Sequence, residues 1–163
     1  MKLTQYSDLG LRLLMYLALR RDNLVTIREV SERFAISNNH LVKISHQLTR
    51  SGLIESVQGR NGGIRLARAP EEINIEEVLR ATEDNFDLVE CFTAARDQCV
   101  ISGACLLTGV LEQARAAFFG VLRAVSLADL VKNAKVLEHI LQPLPKAGRS
   151  KPGDAASDKR SKS

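Results

Sequence analysis

The stretch "TIREVSERFAISNNHLVKISHQLTRSGLIESVQGRNGGIRLA", residues 26–67, decides the fold. Thr26 and Glu29 have the S/T-x-x-E spacing of a capping box, which predicts the start of a helix. After the short break "AIS", Ser37 can cap a further helix, and Gly52 is suited to end it. Two helices separated by so short a break are typical of a helix-turn-helix.

A hairpin is predicted directly after these helices. Two strand-like runs flank Gly59-Arg60-Asn61-Gly62-Gly63, and Asn-Gly between such runs is a strong hairpin signal, because both central residues of the turn must accept positive φ. Upstream, residues 7–21 have helical apolar spacing with Ser7 available as a cap. The order helix, helix, helix, hairpin predicts a winged helix-turn-helix.

The C-terminal half is expected to be helical as well. Pro70 marks a junction, and residues 73–83 predict a short helix. The next apolar residues recur about every 3.5 positions, at Leu107, Leu111, Ala114, Phe118, Val121 and Val125. This repeat is typical of a helix packed along another helix, either as a core helix of a monomer or, as we favour because the N-terminal domain is small, as a dimerisation helix. Residues 126–140 predict a last capped helix.

We therefore expect a mainly α protein with a winged helix-turn-helix DNA-binding domain in residues 1–69 and a disordered basic tail in residues 143–163. Residues 1–69 carry 11 Lys and Arg against 5 Asp and Glu, which favours a polyanionic partner. No segment approaches the roughly 20 apolar residues that span a bilayer. The sequence thus predicts a cytoplasmic protein with no membrane partner, in which thiols stay reduced.

The third predicted helix carries candidate DNA-reading residues. Its pattern turns Leu41, Ile44 and Leu48 inward and a polar set outward, namely Asn38, Asn39, His40 and Lys43. Asparagine can bond adenine with two hydrogen bonds, and lysine can donate to guanine. Arg60, Asn61 and Gly62 form the hairpin tip, where Arg60 is placed to enter a narrow minor groove. The alternative is an ordinary solvent-exposed polar face.

All the cysteines of the chain, Cys91, Cys99 and Cys105, have the spacing C-x7-C-x5-C. Structural zinc sites usually pair ligands at C-x2-4-C spacing, so zinc is disfavoured. Three thiolates so close together suit an iron-sulfur cluster, which makes residues 70–142 an iron-sulfur sensor loop with dimerisation helices. One disulfide with a spare thiol, or three ordinary cysteines, are the alternatives. No H-E-x-x-H or G-x-S-x-G motif is present, and no enzyme activity is predicted.

Several segments together resemble the BadM/Rrf-type winged-helix regulators, over residues 1 to about 133. They are "KLTQYSDLGLRLLMYLA", "ISNNHLVKI", "GRNGGIRL" and the cysteine segment, and they are most similar to the nitric-oxide-sensing repressors of that family. The resemblance implies a homodimer that binds an inverted-repeat operator in double-stranded DNA. It also implies one iron-sulfur cluster (2Fe-2S or 4Fe-4S) per subunit and loss of DNA affinity when nitric oxide attacks it. A sensor of iron-sulfur or redox status is the alternative within the family.

The same resemblance implies a fourth cluster ligand. A branch of the family that regulates cluster assembly places a histidine shortly after the third cysteine, where this chain has Leu106, Leu107 and Thr108. In the nitric-oxide-sensing branch an aspartate of the first helix, supplied by the other subunit, completes the cluster, and Asp8 occupies the matching position. An ordinary acidic residue in a first helical turn is the alternative.

Overall fold

The computed structural model describes residues 3–92, 99–101 and 104–141, and its N-terminal part is a winged helix-turn-helix. Three helices precede a two-stranded antiparallel hairpin. The elements are α1 (Gln5–Leu19), α2 (Ile27–Phe34), α3 (Asn38–Arg50), β1 (Ile54–Val57) and β2 (Gly63–Leu66). This order confirms the fold class predicted from residues 26–67. The predicted disordered tail lies outside the described residues.

The starts of α1 and α2 depend on threonine caps. Thr4 is the N-cap of α1 and accepts from the Ser7 N–H, so the prediction that Ser7 caps this helix was wrong: Ser7 is buried in the first turn. Thr26 caps α2 as predicted, accepting from the Glu29 N–H at 3.1 Å. The Glu29 carboxylate accepts from the buried Tyr16 hydroxyl at 2.6 Å and so ties α2 to α1.

Left-handed backbone conformations shape the connections on either side of α3. Ala35 ends α2 at a φ of 52°, and Ser37 occupies the N-cap of α3 without a side-chain capping bond. Gly52 follows α3 at a φ of 68°, and the next residue, Leu53, donates its N–H to the Leu48 carbonyl at 3.0 Å. The predicted helix-ending glycine is therefore confirmed, since a left-handed residue lets the chain reverse and cap the helix.

The hairpin exists as predicted, but its turn is a different one. The strands pair in the register Ile54 with Leu66, and residues 58–62 connect them. Positive φ in this turn occurs at Gly59, at 117°, and not at Asn61 and Gly62, so a two-residue Asn-Gly turn is the wrong description. A glycine is still needed at position 62, because a Cβ there would lie 2.3 Å from the Val57 carbonyl oxygen.

The core of the winged domain also includes residues from the C-terminal half. α4 (Ile75–Thr82), the predicted short helix, follows a 3-10 turn (Pro70–Glu72) and packs against α1 and α3. Completely or almost completely buried side chains of the core are Leu13, Leu14, Leu17, Leu41, Leu48, Leu53, Ile73, Val78 and Leu127. Burying this many aliphatic side chains is the main stabilising contribution to the fold.

Three further helices complete the described chain. They are α5 (Leu106–Arg123), α6 (Leu127–Leu130) and α7 (Ala134–Ile140). Ser126 caps α6 through a capping box with Asp129, but the prediction of one continuous last helix was wrong, because the chain turns at residues 131–133. α7 packs back on the winged domain, where Glu138 pairs with Arg20 at 3.1 Å. Among the described helices, none is long and apolar enough to cross a bilayer.

An ionic contact joins α4 to α5. The Glu76 carboxylate, with a side chain only 8% exposed, accepts from the Arg123 Nε at 2.6 Å and from the Arg80 Nε at 2.9 Å. These two guanidinium groups lower the pKa of Glu76 from its ordinary value of 4.5 to about 2. The carboxylate thus stays ionised and holds α5 against α4 at neutral pH.

This contact predicts the acid stability of the protein. Because the pKa of Glu76 is lower in the folded state, its contribution to the free energy of unfolding is complete above about pH 5 and is lost as the pH falls toward 2. Glu76→Gln should lower the melting temperature by a few degrees at neutral pH and flatten its decline between about pH 5 and 2.5, as followed by thermal unfolding. Glu32→Gln, in an exposed pair with Arg28, should change neither. A wild-type acid profile in Glu76→Gln would contradict this assignment.

Candidate functional site

The start of α5 brings two of the three predicted cysteine ligands to a common neighbour. Cys105 is the N-cap of α5, and Cys91 lies in the 3-10 turn Glu90–Phe92. The Cys91 Sγ lies 3.5 Å from the Thr108 Oγ1, and Thr108 is in the first turn of the helix that Cys105 begins. Thr108 is therefore a common neighbour of two half-buried cysteines.

The environment of Cys105 favours a thiolate. Hydrogen bonds from the Thr108 backbone, the Thr108 hydroxyl and the Leu107 backbone lower the pKa of the Cys105 thiol. A position at a helix N-terminus acts in the same direction, since the helix dipole favours negative charge there. The thiolate is the form that binds metal, so the donor chemistry of this part of the chain fits an iron-sulfur cluster.

The described part of the single chain does not assemble a complete ligand set. Cys91, Cys99 and Cys105 are free thiols in the structure, with no disulfide between them. Cys99 is exposed, and no three His, Cys, Asp or Glu side chains among the described residues come close enough to hold a metal ion. Among the described residues, Cys91 and Cys105 share Thr108 as a neighbour, and neither Cys99 nor Asp8 completes a group of three potential ligands there.

Asp8 lies in the first turn of α1, where its side chain is 51% exposed. Its carboxylate accepts two bonds from Arg12, from the Nη2 at 2.8 Å and from the Nε at 3.2 Å. Sequence reasoning missed Arg12, although the i,i+4 spacing of opposite charges in "SDLGLR" was a readable signal. Arg12 orients the carboxylate at the protein surface, from which it is accessible to a second chain.

The recognition helix presents the side chains that the sequence predicts. Leu41, Ile44 and Leu48 are buried, and the outward set is exposed, namely Asn38, Asn39, His40 and Lys43. The same helix exposes two more residues with basic or ionisable side chains, His46 and Arg50, which sequence reasoning did not single out. The predicted inward and outward faces of α3 are therefore confirmed.

The hairpin tip and α1 complete this candidate DNA-binding surface. Arg60 and Asn61 are exposed, while Gly62 is half-buried, and the close Val57 carbonyl already accounts for a glycine there. The position of α3 is maintained by the Tyr6 hydroxyl, which donates to the Lys43 carbonyl at 2.8 Å. An exposed reading helix next to an exposed arginine loop is the arrangement that winged helix-turn-helix proteins present to a duplex.

α5 leaves most of its apolar side chains uncovered. Leu106 is 88% exposed and Val121 67% exposed, and Leu107 and Val110 are exposed as well. Of the described residues of α5, only Phe119 is buried; its ring lies 4.7 Å from Phe86 and 4.1 Å from the Arg80 guanidinium. The predicted 3.5-residue stripe is thus only partly covered within one chain, since three of its residues are exposed and three are half-buried, namely Leu107, Ala114 and Val121 against Leu111, Phe118 and Val125. Apolar surface of this extent is typical of an interaction site.

Comparison with known proteins identifies the family. The chain matches Rrf2, described as "Iron-dependent Transcriptional regulator", over residues 3–133. A protein of Shouchella clausii called "HTH-type transcriptional regulator NsrR" is 50% identical over 143 residues, which are 87% of this chain and 96% of that protein. The Bacillus subtilis protein of the same name is 47% identical over 143 residues, 87% of this chain and 98% of that protein. A solved structure, "T. potens IscR", is similar with a TM-score of 0.67 at 25% identity and covers 85% of this chain and 91% of its own. This chain, which folds as a winged helix-turn-helix, therefore belongs to the Rrf2 family of transcriptional regulators.

Proposed function

We propose that this regulator is a nitric-oxide-sensitive repressor that binds an operator as a homodimer and releases it when its iron-sulfur cluster reacts with nitric oxide. The observation that carries the proposal is that Cys91 and Cys105 share Thr108 as a neighbour, whose hydrogen bonds lower the pKa of the Cys105 thiol. The similarity to proteins named NsrR supports the choice of signal, and the similarity to a protein named IscR supports the winged fold around such a site.

The proposed ligands are three cysteines of one subunit and one carboxylate of the other. Cys91, Cys99 and Cys105 would hold one cluster (2Fe-2S or 4Fe-4S) per subunit, and Asp8 of the partner subunit would complete it. When bound, the cluster supplies thiolate-ligated iron, which is open to attack by nitric oxide. The exposure of Asp8 and its two bonds from Arg12 support a carboxylate that faces a second chain. The two subunits would then be linked to each other through both cluster sites of the dimer.

Such a link between the subunits would explain how a cluster bound near the start of α5 could control DNA binding. Asp8 is on α1, and α1 contacts α3 through the Tyr6 hydroxyl and the Lys43 carbonyl. While Asp8 is held by the partner subunit, the two recognition helices keep one separation, as a palindromic operator requires. If Asp8 were released, its carboxylate would keep only its bonds from Arg12, and the two winged domains would be free to leave that geometry.

The dimer contact and the DNA contacts follow from the exposed surfaces. The uncovered apolar side chains of α5, with Leu107 and Val110 among them, would form the surface between the subunits. Asn38, Asn39, His40 and Lys43 would read the major groove, and Arg60 with Asn61 and Gly62 would contact the adjacent minor groove.

A second candidate function is a sensor of iron-sulfur or redox status on the same architecture. The family description "Iron-dependent" favours it, because loss of the cluster by itself would then be the signal. Both candidates share the cluster and the operator, and they differ in the stimulus that releases the DNA.

The deciding experiment is anaerobic purification followed by visible spectroscopy and operator binding before and after a stoichiometric addition of nitric oxide. We expect a coloured protein whose operator affinity falls at least about tenfold when the colour changes. Release by iron chelation with no response to nitric oxide would favour the second candidate. A colourless protein with full DNA affinity would exclude both.

Ligation across subunits can be tested with mixed dimers. Asp8→Ala chains and Cys91→Ala chains should each form an incomplete site as homodimers. When the two are co-expressed with different tags and purified as heterodimers, the intact cysteines of one chain meet the intact Asp8 of the other, so one complete site returns. Visible absorbance and iron content should therefore recover to about half of the wild-type values.

The matched control is Asp22→Ala, an exposed aspartate just beyond α1, which should leave cluster content unchanged as a homodimer. If Asp8 ligated the cluster of its own chain, the Asp8→Ala and Cys91→Ala heterodimer would contain no complete site. Absence of recovery would then count against the shared ligand set.

The recognition helix can be tested with Lys43→Ala. Loss of a base contact should weaken operator binding by about 1–3 kcal/mol, and loss of a phosphate contact should instead reduce the salt slope of binding by about 1. Fluorescence anisotropy at several salt concentrations distinguishes the two. Lys135→Ala, exposed on α7, is the control and should retain wild-type binding. Unchanged affinity and slope in Lys43→Ala would remove this residue from the interface.

A further inference from the structure

Glu83, the C-cap of α4, is bonded to the first turn of α1. Its Oε1 accepts from the Thr4 N–H at 2.7 Å, from the Thr4 hydroxyl at 3.0 Å and from the Ser7 hydroxyl. The Ser7 Oγ also lies 2.7 Å from the Thr82 Oγ1, and Ser7 is completely buried. Three donors from one helix turn thus converge on a single carboxylate oxygen.

The charge of Glu83 suits this position. Burial opposes ionisation of the carboxyl, but the bonds from Ser7 and Thr4 outweigh it and lower the pKa of Glu83. A carboxylate at the N-terminus of α1 is also favoured by the helix dipole, and hydrogen bonds to an ionised acceptor are stronger than neutral ones. The contact is therefore a charged cap supplied from a distant part of the sequence.

The contact joins, within one chain, two segments that the proposed function assigns to different cluster sites. Residue 83 ends α4 and begins the segment that leads to Cys91, while Thr4 and Ser7 precede Asp8 in the first turn of α1. The Asp8 N–H donates to the Thr4 carbonyl at 3.2 Å, so the position of Asp8 follows that of its cap.

Both segments that Glu83 joins, the first turn of α1 and the end of α4, also contact the recognition helix α3. Tyr6, between Thr4 and Ser7, donates its hydroxyl to the Lys43 carbonyl at 2.8 Å. Gln47 of α3 donates its side-chain amide to the Ala81 carbonyl at 3.1 Å, two residues before Glu83. The end of α4 is therefore hydrogen-bonded to both α1 and α3, through Glu83 and Ala81.

We propose that Glu83 is a positioning residue that couples the cysteine segment of each subunit to its own Asp8 and to its own recognition helix. This inference rests on the proposed function, because Asp8 is taken to serve the cluster of the partner subunit. A change in one cysteine segment would then reach both the DNA-binding surface of the same chain and the cluster of the other chain.

The physical part of the inference is tested by hydrogen exchange on the anaerobic, cluster-loaded protein and on the full-length protein without cluster. Glu83→Gln keeps the shape of the side chain and removes its charge. It should accelerate exchange of a peptide covering residues 3–13 about tenfold, since one charged cap of the first turn is lost. Glu77→Gln, on the same helix and paired with Arg68, is the matched control and should leave this peptide unchanged.

The functional part is tested by the ratio of operator affinities before and after nitric oxide. Glu83→Gln leaves all proposed cluster ligands in place, so the visible spectrum of the cluster should not change. The ratio of operator affinities before and after nitric oxide should be at least about fivefold smaller than in wild type and in Glu77→Gln. Ser7→Ala, which removes one donor and leaves the carboxylate in place, should act in the same direction with a smaller effect. It provides the same test if Glu83→Gln does not fold.

The possible outcomes separate this inference from the proposed function. A wild-type protein that does not respond to nitric oxide contradicts the proposed function, and the exchange measurement still decides whether Glu83 positions α1. A normal wild-type response with the same ratio in both Glu83→Gln and Ser7→Ala overturns the coupling. Unchanged exchange of residues 3–13 in these variants overturns the positioning role itself.

Discussion

The first turn of α1 is maintained by a carboxylate that lies outside the helix. Glu83 accepts from the backbone and hydroxyl of Thr4 and from the hydroxyl of Ser7, and this satisfies donors that an isolated helix would leave to water. The same turn carries Asp8 at the surface and Tyr6 against the recognition helix. The candidate cluster site and the candidate DNA-binding surface therefore depend on one helix terminus.

The cysteine side of the candidate cluster site depends on α5. Cys105 begins this helix, and the backbone and hydroxyl groups of the following turn favour its ionised form. The direction of α5 is held by Glu76, which pairs with Arg123, and by Phe119, the buried side chain of that helix. Most of the remaining apolar surface of α5 is uncovered. The cysteine segment is thus attached to a helix whose partner is expected to be a second copy of the chain.

Local sequence signals predicted the winged domain well. The Thr26 cap, the short break before α3 and the glycine at position 52 are signals within a few residues of the structure that they specify. The same reasoning was less successful where two local solutions compete. In the hairpin, positive φ falls on Gly59 rather than on Asn61-Gly62, and Gly62 is needed for a different reason, the close Val57 carbonyl. In α1, Ser7 is an acceptable cap by composition, but its hydroxyl is used by Glu83.

The sequence by itself determines the cysteine spacing, the i,i+4 spacing of Asp8 and Arg12, and the inward face of α3. Only the tertiary structure decided that Cys91 lies beside Thr108 at the start of α5 and that Glu83 caps a helix 79 residues upstream of it. The physical reason is the range of the interactions. Helical periodicity and capping act over three or four residues and can be read along the chain, whereas a side chain shared by two distant segments is selected by packing, which brings together residues that no spacing relates.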